Sequence, residues 1–183
     1  MANPYFSKIP VIGYDIDGSG EKRIAVNILQ RIKMRDVLKN SYLIWYLYDV
    51  KDGETPEIIA SKLYGDSRFH WIILLANDIV DPVYDWVMSY ENLIATIRKR
   101  YTTPEREGLE FAYQTVHHYE DAKGAVIDET SFRRLPDVER RKVSVYDFEM
   151  ARNEAKRSIR LLDANYVDQV DAEADTLMQR RLV

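Results

Sequence analysis

Residues 48–65 read YDVKDGETPEIIASKLYG, and this stretch decides the fold. The run that leads into it, residues 42–50, is rich in aromatic and β-branched side chains, which predicts a strand. Gly53 lies in the turn that follows, where a residue without a side chain permits a tight reversal. Thr55 predicts a helix N-cap, and Pro56 suits the first helical position because its missing N–H is not needed there. The stretch therefore predicts a strand, a turn and a helix in close succession.

Two more helices are predicted downstream. Gly65 is a natural stop for the first helix. Residues 67–77 carry apolar side chains almost all the way round a helix, which predicts a buried second helix closed by Asn77. Residues 86–88 suggest a short strand, and a third helix is expected over about residues 89–101.

The remaining sequence predicts an extended arm and a mixed C-terminal region. Residues 1–40 hold short β-prone runs at 9–14 and 23–29 and a charged–apolar alternation at 31–35, too few apolar side chains for a core of their own. The expected domains are an arm over residues 1–40, a central domain over 41–101 and an α+β region over 102–183. The elements expected in that last region are a hairpin of 111–120 and 125–135 about a turn at 121–124, a helix over 146–157, a strand over 159–162 and a helix over 165–180. The fold class is α+β.

Residues 48–77 resemble a LysM domain. That family runs strand, Gly-containing turn, acidic residue and Thr, then Ile-Ala in mid-helix, Tyr, and an Asn that closes the second helix. The matching positions here are Gly53, Glu54, Thr55, Ile59, Ala60, Tyr64 and Asn77. The resemblance implies a central βααβ module. A glycan-binding LysM continues after that Asn into a Gly-containing turn and an apolar-Ile-Pro strand, whereas residues 79–86 here read IVDPVYDW. This departure argues against a sugar-binding groove.

The residues at this departure, and others near them, are similar to a second known family. The segments 64–65, 70–75, 77–78 and 81–86 resemble the LysM-like small wedge subunit, the baseplate wedge protein 53 family of contractile-tailed bacteriophages. Residues 146–162 are similar to the C-terminal part of that subunit, and Asn27-Ile-Leu29 with the charged alternation after it fits the N-terminal part. The resemblance covers most of the chain, is strongest over 46–86, and does not extend to 102–136.

This resemblance implies a structural subunit that is not an enzyme and uses no cofactor. It implies copies arranged around the tail axis that clamp neighbouring wedge components, among them the larger wedge proteins and the lysozyme-like, sheath-nucleating subunit. The expected location is the tail baseplate of the virion, after assembly in the host cytoplasm. Seven residues are candidates for the partner interface: Tyr48, Asp52, Tyr64, Trp71, Asp81, Tyr84 and Trp86. By default, Trp71 and the tyrosines are core residues.

Two other functions are weighed against this one. A peptidoglycan- or chitin-binding LysM module would use an exposed groove, but the second-strand motif is missing and there is a single module copy. A lytic or transfer enzyme would need an acid/base pair in a recognisable frame, and the sequence offers none.

The composition of the chain excludes several other kinds of partner and site. The net charge of −4 argues against nucleic acid as a partner, and the absence of cysteine excludes disulfides and thiolate sites. No stretch is apolar enough to predict a membrane span.

Residues 15–20, DIDGSG, begin like a calcium loop, but Val26 stands where the bidentate Glu belongs, so a turn is expected. His117 and His118 are adjacent in a predicted strand, so we expect their side chains on opposite faces and no metal site.

Overall fold

The computed structural model describes residues 9–27 and 43–179. The sequence-based expectations for residues 1–8 and 28–42, including the alternation at 31–35, lie outside the described residues. The described chain combines helices with small antiparallel sheets, which confirms the α+β class. Its packing divides it into two units. The first unit holds the described residues up to Asp49, Glu54–Asp85 and those from Ser158 onward; the second holds Val50–Gly53 and Trp86–Arg157.

The first unit contains the following elements, labelled in chain order: strands β1 (Val11–Tyr14), β2 (Arg23–Val26) and β3 (Trp45–Asp49), helices α1 (Pro56–Tyr64) and α2 (His70–Ala76), strand β7 (Ser158–Leu162) and helix α7 (Val167–Gln179). A single 3-10 turn, Ser67–Phe69, precedes α2. The elements of the second unit are helix α3 (Tyr90–Tyr101), helix α4 (Gly108–Gln114), strands β4 (Val116–Asp121) and β5 (Val126–Ile127), helix α5 (Glu129–Arg134), strand β6 (Arg140–Ser144) and helix α6 (Val145–Glu154).

Helix α1 begins and ends where its sequence predicts. The side-chain oxygen of Thr55 accepts a hydrogen bond from the backbone N–H of Ile58, and Pro56 occupies the first turn. Gly65 ends the helix in the left-handed region, with φ of 76°. The predicted second helix is confirmed as the 3-10 turn followed by α2, and its buried face carries Trp71 and Ile72.

The partner of β3 comes from far along the chain. Strand β3 pairs with β7 in antiparallel register, from Trp45 opposite Leu162 to Asp49 opposite Ser158. Together β3, α1, α2 and β7 form a strand–helix–helix–strand arrangement, which we call the βααβ module. The short strand suggested at residues 86–88 is wrong: no strand forms there, because the backbone N–H and carbonyl of Met88 pair with the side-chain amide of Asn153 instead of with another strand.

The core of the first unit joins the module to the last helix. Buried Trp71 and Ile72 of α2 pack with Leu162 of β7 and with Val167 and Ala174 of α7. The helix predicted over residues 165–180 is therefore confirmed for the described residues as α7, with Val167 and Ala174 on its buried face. This helix covers the side of the module that α2 and β7 present.

Strands β1 and β2 form a separate hairpin in the first unit. Their register runs from Val11 opposite Val26 to Tyr14 opposite Arg23. The turn between them is held by the carboxylate of Asp15, which accepts the backbone N–H of Gly20 at 2.8 Å and thereby has its pKa lowered. The sequence prediction of a turn is confirmed here.

The second unit contains four α-helices and a three-stranded sheet. Leu93 and Ile97 of α3 are buried against Ala112 of α4 and Val145 of α6. The sheet has the order β5-β4-β6, all antiparallel. The predicted third helix is confirmed as α3, with Ser89 as its cap.

The hairpin predicted from residues 111–120 and 125–135 is only partly right. Strands β4 and β5 do flank the turn at 121–124, but both outer segments are helical, as α4 and α5. The reason is side-chain capping. Glu107 accepts the N–H of Glu110 at 2.8 Å, and Asp128 accepts those of Thr130 and Ser131 at 2.8 and 3.0 Å.

Candidate partner-binding surface

A buried carboxylate anchors the start of the βααβ module. Glu54 lies at the turn before α1 and is buried. It accepts hydrogen bonds from the Tyr48 hydroxyl at 2.8 Å and from the Lys62 ammonium at 2.5 Å. Burial, followed by this bond to Glu54, raises the pKa of Tyr48. Tyr48, one of the seven candidates, is thus fixed by the module itself.

Asp52 occupies a turn that belongs to the second unit. Its carboxylate is exposed and accepts the backbone N–H of Tyr90 at 3.0 Å, at the start of α3. Two residues earlier, the backbone N–H of Val50 donates to the carbonyl of Arg157 at 3.0 Å, and the Arg157 guanidinium returns a bond to the Val50 carbonyl at 2.7 Å. The turn therefore contacts both ends of residues 86–157.

Tyr64 and Trp71 meet in the core of the first unit. The Tyr64 hydroxyl accepts the backbone N–H of Leu162 at 3.1 Å, and burial raises the pKa of Tyr64 far above its usual value. Trp71 is 5 % exposed and packs in the same cluster. Both side chains therefore hold α1 and α2 against β7 and α7. Trp86 is also buried, in the second unit.

Asp81 and Tyr84 lie in an exposed turn, which we call the 78–85 turn. One carboxylate oxygen of Asp81 accepts the backbone N–H of Val83 at 2.9 Å and that of Tyr84 at 3.3 Å. In return, the Asp85 carboxylate accepts the N–H of Asp81 at 3.1 Å. The turn presents three large side chains to solvent: Val80, Val83 and Tyr84 are 65, 69 and 64 % exposed.

Sequence reasoning did not single out Val80 and Val83 as surface residues. A short apolar run such as IVDPVY gives no period from which exposure can be read. The signal available was the Asp-Pro pair at 81–82, which marks a turn, and turns lie at the surface. The β1–β2 hairpin is a second exposed apolar segment, through Val11, Ile24 and Val26.

The two adjacent histidines do not point to opposite faces, so that expectation is wrong. The register of β4 against β6 shifts between Val116 and His118, which is a β-bulge with His117 as the extra residue. The bulge brings the two Nδ1 atoms to 2.8 Å, and His118 Nε2 lies 3.0 Å from the Glu120 carboxylate. The His117 ring stacks on Phe148 at 3.8 Å between centroids.

Across residues 9–27 and 43–179, His, Asp and Glu form no group of three that could hold a metal ion. In the same part of the chain, no helix is both long enough and apolar enough to span a bilayer.

Comparison with known proteins defines the class as the phage baseplate wedge proteins. The family described as Base plate wedge protein 53 matches residues 5–128, more than half of the chain. The chain belongs to this family, as the resemblance over residues 46–86 predicts. The match also includes residues 102–128, so the expectation that the resemblance stops short of 102–136 is wrong for that part. It is also similar to the baseplate wedge protein gp53 of Enterobacteria phage T4, with 39 % identity over 44 residues. That stretch is 24 % of this chain and spans 22 % of the length of the T4 protein.

Proposed function

We propose that the chain is a structural subunit of a contractile-tail baseplate wedge, which clamps neighbouring wedge subunits through the βααβ module and its flanking arms. The observation that carries this proposal is the family match over residues 5–128, which includes the hairpin, β3, α1 and α2. The function is mechanical, so the relevant properties are a rigid body and exposed contact surfaces.

The module has the rigidity that a clamp needs. Side chains from both helices bond to the backbone of β7: Tyr64 of α1 to Leu162, and Asn77 at the end of α2 to Arg160. Edge groups of β7 are thereby satisfied within the chain, which blocks further strand addition at these positions. Contacts with neighbours would then be made by side chains and arms.

The contact surfaces are of the kind that assembly proteins present. Large apolar side chains remain exposed on the β1–β2 hairpin and on the 78–85 turn. Clusters of this kind on a folded chain mark protein interaction sites. The neighbours we propose are the larger wedge proteins and the lysozyme-like, sheath-nucleating subunit, with several copies of this chain around the tail axis in the virion.

A glycan-binding module is the second candidate, and one observation favours it. A LysM domain has a second strand after the Asn that closes its second helix. Here β7 takes that place beside β3, so a strand–helix–helix–strand order is complete. The residues that lead from α2 to that strand are, however, a whole unit instead of a short turn.

Two binding experiments separate these functions. The full chain is co-expressed with the wedge subunits encoded by the adjacent tail genes and analysed by size-exclusion chromatography; we expect co-elution in one complex. In parallel, the full chain is mixed with purified peptidoglycan and sedimented, and we expect it to stay in the supernatant. Saturable binding to peptidoglycan without any wedge complex would reverse the assignment. The full chain is needed because residues 41–101 alone lack β7.

A further inference from the structure

The 78–85 turn combines exposed apolar side chains with a fixed backbone. Val80, Val83 and Tyr84 each expose more than half of their surface. Pro82 restricts the backbone, and the bonds of Asp81 and Asp85 close the turn around it. A turn that is already ordered loses little conformational freedom when it binds, so its contact area converts efficiently into affinity.

The charged residues within the turn have one sign. Asp78, Asp81 and Asp85 lie within the turn, and no Lys or Arg occurs in the sequence between Arg68 and Arg98. Asp78 itself takes a left-handed backbone, with φ of 56°, a conformation that Asp tolerates better than most residues. Three exposed carboxylates therefore lie in the same short stretch of chain as the apolar side chains.

We propose that the 78–85 turn is an anchor that inserts Val83 and Tyr84 into an apolar pocket of another protein, rimmed by Lys or Arg. The apolar tip defines the pocket, and charge complementarity defines its rim. Tyr is among the residues that most often dominate binding energy at the centre of an interface. This inference rests on the proposed function, since it names the chemistry of the wedge surface that the chain clamps.

The test uses the full chain and the wedge subunits purified together without it. Binding is measured by biolayer interferometry for the wild type and for Tyr84→Ala, Val83→Ser and, as a matched control, Val138→Ser. Val138 is 88 % exposed in the second unit. Tyr84→Ala should raise Kd by about 10–100-fold and Val83→Ser should raise it by a smaller factor. Val138→Ser should leave Kd at the wild-type value. Unchanged melting temperatures show that the variants fold.

The attraction between the carboxylates of the turn and the basic rim of the pocket is tested with Asp78→Asn/Asp85→Asn. This double variant keeps the side-chain acceptors and removes two charges. Binding of this variant should be weaker than wild type at about 50 mM NaCl, and the difference should close at about 500 mM because salt screens the attraction. Wild-type binding that Tyr84→Ala leaves intact would overturn the anchor but spare the proposed function. Wild-type binding that the Asp substitutions strengthen would overturn the basic rim. If the wild type does not bind at all, the proposed function fails as well.

Discussion

The side-chain amide of Asn77 pairs with both backbone groups of Arg160, across 83 positions of sequence. Its Nδ2 donates to the Arg160 carbonyl at 2.9 Å and to the Ile73 carbonyl at 2.8 Å, and its Oδ1 accepts the Arg160 N–H at 2.8 Å. One side chain thus closes α2 and holds the strand that completes the βααβ module.

Replacing Asn77 should therefore weaken the module. Asn77→Ala leaves the Arg160 backbone groups without these bonds, and we expect a loss of about 1–3 kcal/mol in the free energy of unfolding. Asn77→Asp keeps the acceptor and should lose less. Urea denaturation measures both, with Asn92→Ala on the exposed side of α3 as the control, expected within about 0.5 kcal/mol of wild type. Equal values for Asn77→Ala and Asn92→Ala would show that this contact does not hold β7.

Trp71 provides a test of the core of the first unit. Because its side chain is buried against β7 and α7, Trp71→Ala should cost about 3–5 kcal/mol. Tyr84→Ala, at an exposed position, should cost less than about 1 kcal/mol. Both are read from urea midpoints. A stable Trp71→Ala protein that fails to bind the wedge subunits would instead place Trp71 at the interface.

Gly108 marks a close approach of two helices in the second unit. A Cβ at this position would lie 2.2 Å from the Arg98 carbonyl oxygen and 2.5 Å from the Thr102 nitrogen, both backbone atoms of the α3 end. Gly108→Ala should therefore force α4 away from α3 and cost about 1–3 kcal/mol. Gly13→Ala meets only the Lys22 side chain, at 3.4 Å, and is the control. A melting temperature of Gly108→Ala equal to that of Gly13→Ala would rule out this packing.

The ion pair between Arg100 and Glu149 should show a characteristic double-mutant pattern. The Glu149 carboxylate is buried and accepts from Arg100 at 2.5 Å and from the Tyr101 hydroxyl at 2.9 Å. Arg100→Met leaves a buried charge and should cost about 1–3 kcal/mol, reduced by the partial exposure of Arg100. Arg100→Met/Glu149→Leu should recover most of that loss. A double variant less stable than Arg100→Met would contradict the prediction.

The free energy of unfolding should fall in acid because carboxylates that hold turns become protonated. Asp121 accepts the backbone N–H of Ala125 at 2.9 Å and of Lys123 at 2.8 Å, and these bonds lower its pKa. A lowered folded-state pKa means that its contribution is full above the usual value near 4 and is lost as pH falls through the folded value. The stability advantage of wild type over Asp121→Asn should therefore shrink below about pH 4, measured by urea midpoints. A stability difference between wild type and Asp121→Asn that grows as the pH falls would contradict this prediction.

Local signals in the sequence were enough to predict most elements of this chain, but not their partners. Thr55, Gly65 and Ser89 act on neighbouring backbone groups, so their roles can be read from sequence alone. Strand 159–162 is predicted by its composition, but composition does not show that it pairs with β3. The two strands are separated by more than 100 residues of sequence, and no local pattern encodes their register.

The same limit applies to the candidate surface. The bulge that turns His117 and His118 toward each other depends on the register with β6, which no local pattern encodes. The candidates Trp71 and Trp86 are buried, while Val80 and Val83 are exposed, because burial depends on which elements cover a side chain. Residue type alone favours the aromatic side chains as contacts.

We propose that this chain is built into the baseplate. The most direct test is immunogold electron microscopy of purified virions that carry an epitope-tagged copy of the chain, with untagged virions as the control. We expect label at the baseplate end of the tail, with several copies per particle. Virions without label at the baseplate, or label confined to the sheath or to the host envelope, would contradict it.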